Sequence, residues 1–392
     1  MFDSTKNFDV IVVGAGPSGL ATAKVLADGG IKILVVERTV SGTRNFQGGI
    51  INEESLKSIF PKFSDNTGKV LAPFERVVDQ YRAYVLDDNS FTSYNVQNNG
   101  QNCYLVLREA FNNWLIKETE SVGAKVIRGE TVRELITNDE KISGIRTDSS
   151  EYFSKVVVLA EGAKSTLAKK TGLRTGELLP GETFIFAEEN IQLLPKVIEE
   201  RFNLLPFNGI AAKLFTQGMF HIPSIGYIYT NHDSILLGVG LLFSDAIKLG
   251  LNINFALEKL KEHLCIKPLV LGGKTTNYSS YTLPVHLPEK QSRSVLRLYS
   301  SGCLIVGAGA SLINLFDWDW SLTSLLSGGA AASVILNAFK QNNFSSQTLS
   351  EYEKLLQRDV FPSMLNSRFM QDNDEFKLEV LNNLSSFVLE RK

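Results

Sequence analysis

The chain has 392 residues, 44% of them hydrophobic, and a formal net charge of −2 at neutral pH. That length admits two or three domains with enough apolar content to fill their cores, and the near-neutral balance provides no basic footprint for a nucleic-acid partner. Asp3, Lys6 and Asp9 precede the first apolar run, so no secretory h-region is read there; no apolar stretch is read as approaching a membrane span, and the cytoplasm is the expected location.

In chain order, Asp9 to Gly19 spell DVIVVGAGPSG: a short β run, glycines at GxGxxG spacing, then an apolar helix over Leu20 to Ala27. Eighteen residues after Gly19, the run IKILVV ends in Glu37. Together these read as the βαβ unit of a dinucleotide-binding domain. Gly14 permits the tight strand-to-helix turn, Gly16 lets a pyrophosphate approach bare backbone, and Gly19 lets helix and sheet pack closely. The helix N-terminus then faces the phosphates. Glu37 is placed to accept hydrogen bonds from an adenosine ribose and to repel a 2′-phosphate, so FAD or NAD fits and NADP fits poorly.

Near Ser41 the pattern turns polar and glycine-rich, SGTRNFQGG, a loop suited to lie beside a cofactor, and a helix follows around Glu53 to Ile59. From Arg76 to Val96, β-like runs flank Asp87, Asp88, Asn89 and Ser90, as in an antiparallel hairpin that begins a second domain. Leu107, Phe111, Trp114 and Leu115 mark one face of an amphipathic helix, ended by Gly123 and the strand AKVIRG. Strands are expected over Lys141 to Thr147 and Tyr152 to Ala160, the second running into EGAKST, another nucleotide-facing turn. Between Glu182 and His286 the β-rich runs GYIYT and SILLGVGLLF, then FALEKLKEHL and Pro268, read as a substrate domain. CLIVGAGA re-enters the first domain ahead of an apolar, small-residue helix around Leu325 to Ala338. LSEYEKLL and DEFKLEVLNNL read as terminal helices covering one end. Cys103, Cys265 and Cys303 stand far apart, without a CxxC pair, which leaves neither a disulfide framework nor an iron–sulfur cluster to read. The four histidines show no metal-ligand spacing, so no metal is expected.

In this order, DVIVVGAGPSG with Glu37, RNFQGG, Arg108 opening a helix, VVVLAEGAKSTLAKKTGL, ERFNL at 200–204, GYIYT at 226–230, LGVG at 237–240 and LIVGAG resemble the FixC branch of flavoproteins, related to electron-transfer-flavoprotein:quinone oxidoreductases and archaeal geranylgeranyl reductases. The resemblance covers most of the chain. It implies an α/β protein with a glutathione-reductase-like, discontinuous FAD-binding Rossmann domain, a β-sheet substrate domain roofing the isoalloxazine, and C-terminal helices. The expected layout puts the FAD-binding domain at 1–75, 105–180 and 293–342, a substrate-domain hairpin at 76–104, the rest of the substrate domain at 181–292 and a helical segment at 343–392.

Carried over position by position, the resemblance implies FAD contacts at Gly14, Gly16, Pro17, Ser18 and Gly19 in the pyrophosphate turn and at Glu37 and Arg38 near the adenosine. It places Asn45, Gln47 and Gly48 over the flavin ring, gives Arg108 a phosphate and Val132 a backbone contact to adenine, and adds Glu161, Gly162, Gly307 and Trp320. Ordinary readings stand beside these: a solvated arginine at Arg108, a core valine at Val132, a plain strand-ending turn at Glu161 and Gly162, and tryptophans used for packing. No catalytic acid or base is read. The late motif GAGASLINLFDWDWS departs from the family's Gly-Asp-Ala, with Ala308 in place of an aspartate that holds a ribityl hydroxyl, and Trp320 at the count where a glycine is usual. A hydrogen bond to a charged group contributes roughly 1.5 to 3 kcal/mol, so the first change weakens FAD without excluding it.

The resemblance implies an FAD-dependent oxidoreductase that passes electrons from a soluble electron-transfer flavoprotein to a quinone-like or isoprenoid acceptor. Lacking cluster cysteines, the chain needs a separate ferredoxin-like partner if it follows the branch of the family that splits those modules, and any membrane contact is peripheral. A geranylgeranyl lipid reductase shares the fold, and Ala308 with Trp320 keeps open a non-catalytic paralogue with a degraded flavin pocket. An NADPH-driven hydroxylase is disfavoured by the lack of a second nucleotide fingerprint.

Overall fold

The computed structural model describes residues 6–41, 47–64, 70–96, 102–175, 179–216, 219–220, 222–284, 295–313 and 321–361. β1 (Val10–Val13) leads through the glycine turn into α1 (Pro17–Asp28), and β2 (Ile33–Glu37) returns parallel to β1. Every residue of β1 is buried, as a central parallel strand covered on both faces requires. Pro17 sits in the first turn of α1, where its missing N–H costs nothing. β3 (Gly48–Asn52) and α2 (Glu53–Lys57) follow, then the hairpin of β4 (Phe74–Leu86) and β5 (Phe91–Val96), and β6 (Cys103–Leu107). α3 (Arg108–Glu120) leads to β7 (Lys125–Arg128). β8 (Val132–Asn138), β9 (Lys141–Thr147) and β10 (Glu151–Phe153) form a three-stranded antiparallel meander, and β11 (Val156–Leu159), α4 (Thr166–Lys170) and β12 (Arg174–Thr175) complete the first half.

In the second half, β13 (Thr183–Gln192), α5 (Pro195–Phe202), β14 (Asn208–Thr216), β15 (Ser224–Thr230) and β16 (Ser234–Leu242) precede α6 (Phe243–Leu249), α7 (Ile253–Glu262), α8 (Lys267–Val270) and β17 (Lys274–Pro284). β18 (Val295–Leu296) pairs with β12, and β19 (Tyr299–Ser300) and β20 (Cys303–Ile305) return the chain to the first sheet, ahead of α9 (Leu322–Gln341), α10 (Ser346–Leu349) and α11 (Glu351–Leu355).

Two sheets dominate the described residues. The six-stranded one runs β19-β20-β11-β1-β2-β7, with all pairs parallel but β19–β20. The nine-stranded one runs β17-β13-β16-β15-β14-β4-β6-β3, with β5 beside β4. The fold is thus the expected α/β combination of a Rossmann-type sheet and a large β-sheet. One apolar core fills the first sheet and its helices, and two more cover the two faces of the second.

Three expectations are corrected. Tyr152 to Ala160 is not one strand, because the chain breaks at Ser154–Lys155 and passes from the meander into the parallel sheet, β10 pairing β9 and β11 pairing β1. Gly48 and Gly49 belong to β3 rather than to a loop: they pair with Leu107 and Val106 of β6, and a Cβ on Gly48 would lie 2.7 Å from Leu236. Finally, α9 is long and apolar enough by composition to cross a membrane, with an 18-residue window of mean hydropathy 1.5, against the expectation that no stretch approaches a span. Half of that window is buried inside the protein. Gly328 lets it settle on α1, where an added Cβ would come within 2.4 Å of the Ser18 carbonyl and where Thr22 donates to the Gly328 carbonyl at 3.1 Å.

Candidate functional site

At the carboxyl ends of β1, β2 and β11 the parallel sheet opens into a cleft of ≈ 440 Å³, within the range of small-molecule sites and at the edge where such sheets bind ligands. Gly14 to Ser18, Glu37 to Val40, Arg128, Glu130 to Arg133 and Ala160 to Lys164 line it, and its opposite wall is made of Gly48, Gly49, Ile50, Leu283, Ala308 and Ile313.

Each glycine of the first turn has a separate physical role. Gly14 holds φ +109°, and a Cβ there would meet the Ala160 carbonyl at 2.3 Å, so only glycine lets β1 and β11 approach. Gly16 has open space where a Cβ would stand, leaving its backbone accessible from the cleft. Gly19 faces inward: its Cβ would lie 2.2 Å from the Gly14 carbonyl, so it serves helix packing and does not line the cleft. Pro17 and Ser18 do line it.

Glu37 is held by three donors. Its Oε2 accepts from Ala15 N at 2.8 Å, and its Oε1 accepts from Thr39 N at 2.9 Å and Thr39 Oγ1 at 2.8 Å. A carboxylate offers about four lone-pair directions, so the fixed group retains acceptor capacity. Arg38, Arg108 and Val132 also line the cleft. The Arg108 N–H, at the start of α3, donates to the Gln47 carbonyl at 2.8 Å. Gln47 stands behind the wall that Gly48 forms. Its N–H donates to Glu188 Oε1 at 2.6 Å, and with the side-chain amide turned to put its oxygen toward β17 that oxygen accepts from Tyr278 N and Ser279 N at 3.2 and 3.1 Å.

Glu161 and Gly162 line the cleft, but the Glu161 carboxylate folds back onto α4, accepting from Leu167 N at 2.9 Å and Ala168 N at 3.2 Å. Burial raises its pKa, against the lowering effect of these N–H groups and of Arg38. Gly307, with φ +63°, also lies behind the wall: its N–H donates to Ser327 Oγ at 3.1 Å, and a Cβ would meet Ser18 Oγ at 2.5 Å. Its neighbour Ala308 does face the cleft. Asn45, Trp318 and Trp320 lie outside the described residues.

Two features escaped the sequence reading. Arg174, only 2% exposed, donates from Nη2 to the Gly309 carbonyl at 2.8 Å and to Ser311 Oγ at 3.2 Å, bracing the turn that presents Ala308. Its Nε and Nη1 have no hydrogen-bond partner among the described residues, and burial lowers its pKa. Nothing in the local run TGLRTG distinguishes it from a surface arginine. The second is Glu188, which follows the apolar run Phe184 to Ala187 of β13 and opens the polar run Glu188, Glu189, Asn190; that it is buried inside the strand was the feature the local sequence did not signal.

The residues present fit FAD. The open backbone at Gly16, the fixed acceptor Glu37 and the length of the cleft, from Arg128 and Val132 to Gly48 and Ala308, suit an extended dinucleotide. Asn112 Oδ1, buried on the cleft wall, has no hydrogen-bond partner among the described residues, and a buried acceptor of this kind is costly unless a ligand or water satisfies it. His, Cys, Asp and Glu form no metal-binding group among the described residues, and Cys103, Cys265 and Cys303 form no disulfide.

An FAD binding domain family matches residues 7–196. FixC of Shigella flexneri is 33% identical over 96% of this chain and 90% of its own length, and FixC of Escherichia coli K12 is 34% identical over 89% and 81%. FixC of Bradyrhizobium diazoefficiens is 33% identical over 90% and 81%. Among solved structures, a geranylgeranyl bacteriochlorophyll reductase-like protein from Thermoplasma acidophilum superposes with a TM-score of 0.72 at 19% identity, covering 96% of this chain and 91% of that one. The flavin-dependent brominase Bmp2 gives 0.70 at 15% identity over 96% and 94%. Halogenase PltM, solved in complex with FAD, gives 0.68 at 14% identity over 88% and 73%. These structural likenesses define the fold. The FAD-domain match, the cleft and the extended identity with the FixC relatives make this chain an FAD-dependent oxidoreductase. By its extended identity with the three relatives, the chain belongs to the FixC family.

Proposed function

We propose that the protein passes electrons, by way of FAD in this cleft, from a soluble electron-transfer flavoprotein to an apolar acceptor, a quinone or an isoprenoid chain. The observation that supports this most is the sheet face next to the cleft's far wall. Phe184, Phe186, Tyr227, Tyr229, Tyr281 and Leu283 form one buried apolar cluster with Ile313, against which Ala308 packs. Leu283, Ala308 and Ile313 also line the cleft. A cleft end walled by Leu283, Ala308 and Ile313 and backed by this buried aromatic layer suits an apolar molecule far better than a charged one.

In this reading the backbone at Gly16 and the side chain of Arg108 hold the pyrophosphate. Glu37 orients the adenosine ribose, Val132 borders the adenine, Gly48 borders the ring end, and Gly49, with open space where a Cβ would stand, lets that end lie close to β3. Bound FAD supplies the two-electron chemistry, while the protein sets orientation and keeps water out. The wide separation of the three cysteines favours a donor whose iron–sulfur partner, if used, is another polypeptide. Such an exchange fits a cytoplasmic protein in peripheral contact with a membrane that carries the acceptor. The test is anaerobic. Reduced electron-transfer flavoprotein should bleach the bound flavin, and a short-chain quinone or a geranylgeranyl lipid should restore its colour, the more effective of the two identifying the acceptor class. A flavin that the donor does not reduce contradicts the proposal.

A further inference from the structure

Along the nine-stranded sheet, Glu188 of β13, Ser279 of β17, Gly238 of β16 and Tyr227 of β15 share one row and one face. Gly238 explains how the row closes. A Cβ there would lie 2.2 Å from Tyr227 Cζ, so the Tyr227 ring lies across the bare glycine and its hydroxyl reaches Glu188 two strands away. The next row repeats the device: a Cβ on Gly240 would lie 2.2 Å from the ring of Phe186, which stacks on Tyr281 at 5.4 Å and 16°. The motifs GYIYT and LGVG thus build a buried phenol–carboxyl cluster, with the glycines as its floor.

Glu188 is fully buried. Its Oε1 accepts from Gln47 N at 2.6 Å and Ser279 Oγ at 2.8 Å, and its Oε2 meets the Tyr227 hydroxyl and, at 3.4 Å, that of Tyr281. The Tyr227 and Tyr281 hydroxyls are 3.0 Å apart. None of these partners is a cation. Glu189 and its Lys261 partner belong to the opposite face of β13, and the buried Lys213 of β14 pairs in register with Tyr227, on the side of the phenol away from Glu188. A carboxyl shut from water without a countercharge favours its neutral form, and burial raises Glu188 accordingly. The cluster adjoins the cleft twice. Tyr281 is one face-step along β17 from Leu283, which lines it, and Gln47 joins Glu188 to the strand of Gly48 and to the start of α3.

We infer that Glu188, acting through Tyr227 and Tyr281, is the internal proton donor for reduction of an acceptor seated at the Leu283 wall of the cleft, behind which Tyr281 stands. The inference rests on the acceptor reading above. With a quinone the balance closes as follows. Two electrons and one proton arrive as a hydride equivalent from reduced FAD, and the second proton passes from the Tyr281 hydroxyl to the developing quinolate oxygen. Tyr227 reprotonates Tyr281, Glu188 reprotonates Tyr227, and the Glu188 carboxylate then takes a proton from solvent. The acceptor leaves as quinol and the flavin is oxidised.

The test uses FAD-loaded wild type, Glu188→Gln and Tyr281→Phe. The infrared carbonyl band of a protonated carboxyl, identified by its shift in D2O, should be present in wild type and absent from Glu188→Gln, whose amide still accepts from Gln47 and Ser279. Stopped-flow reoxidation of the prereduced proteins by a short-chain quinone should slow roughly 100-fold in both variants, and the wild-type solvent isotope effect should disappear. Absence of the band, or a Glu188→Gln protein reoxidised at the wild-type rate, overturns the inference alone. A wild type that the quinone does not oxidise overturns the quinone form of the acceptor reading, and with it the reaction this donor serves.

Discussion

Ala308 lies on the wall of the cleft at the position where the resemblance leads one to expect an aspartate, so Ala308→Asp is the most informative single change. The side chain faces the cleft beside Ile313, and the next residue, Gly309, already accepts a hydrogen bond from the buried Arg174 guanidinium at 2.8 Å. A carboxylate would therefore enter a site with a desolvated positive charge close by, which favours the ionised form. One hydrogen bond from a ribityl hydroxyl to that carboxylate contributes about 1.5 to 3 kcal/mol, or roughly ten to a hundredfold in affinity. FAD titration of the apoproteins, followed by flavin fluorescence quenching, should show the variant binding tighter by that factor. A folded variant with unchanged or weaker affinity refutes the argument that Ala308 removes a ribityl contact.

Three further outcomes test the scaffold. Arg76 is buried and bonds to the carbonyls of Asn208, Asn231 and His232 and to Glu199; Arg76→Met should cost about 3 to 5 kcal/mol in urea unfolding, because it strands those partners. Gly238→Ala puts a methyl 2.2 Å from the Tyr227 ring, where carbon contacts normally stand about 3.5 to 4.0 Å, and should destabilise by roughly 1 to 3 kcal/mol. Adding Tyr227→Leu should give a total smaller than the sum of the two changes, whereas strict additivity contradicts the contact. Burial raises the Glu188 carboxyl, so its stabilising contribution is complete below the unfolded value of about 4.3 and is lost as pH rises through the raised folded value. Glu188→Gln cannot ionise there, so the stability difference should move in its favour with rising pH; parallel pH curves contradict a raised carboxyl.

The glycine turn and the acid at Glu37 were legible because backbone approach to a pyrophosphate and ribose binding both act within one βαβ unit, and their residue types follow from local geometry. The hairpin across Asp87 to Ser90 and the helix led by Arg108 were legible for the same reason. The split at Ser154–Lys155 was not, since β propensity continues through it and only pairing with different sheets separates the two strands. Glu188 was overlooked because its partners lie 39 residues away at Tyr227, 91 at Ser279 and 141 at Gln47. The glycines of LGVG were read as a family motif, and their physical use emerged only when the rings of Tyr227 and Phe186 were found above them. Arg174 was silent because a buried guanidinium and an exposed one have the same local sequence.

The most direct test of the account is the absorption spectrum of the purified, untreated protein, with mass identification of whatever heat denaturation releases. Flavin bands and released FAD are the predicted result. A colourless protein that also takes up no added FAD would contradict it, and would mean that the changed wall at Ala308 has ended flavin binding on an otherwise intact scaffold.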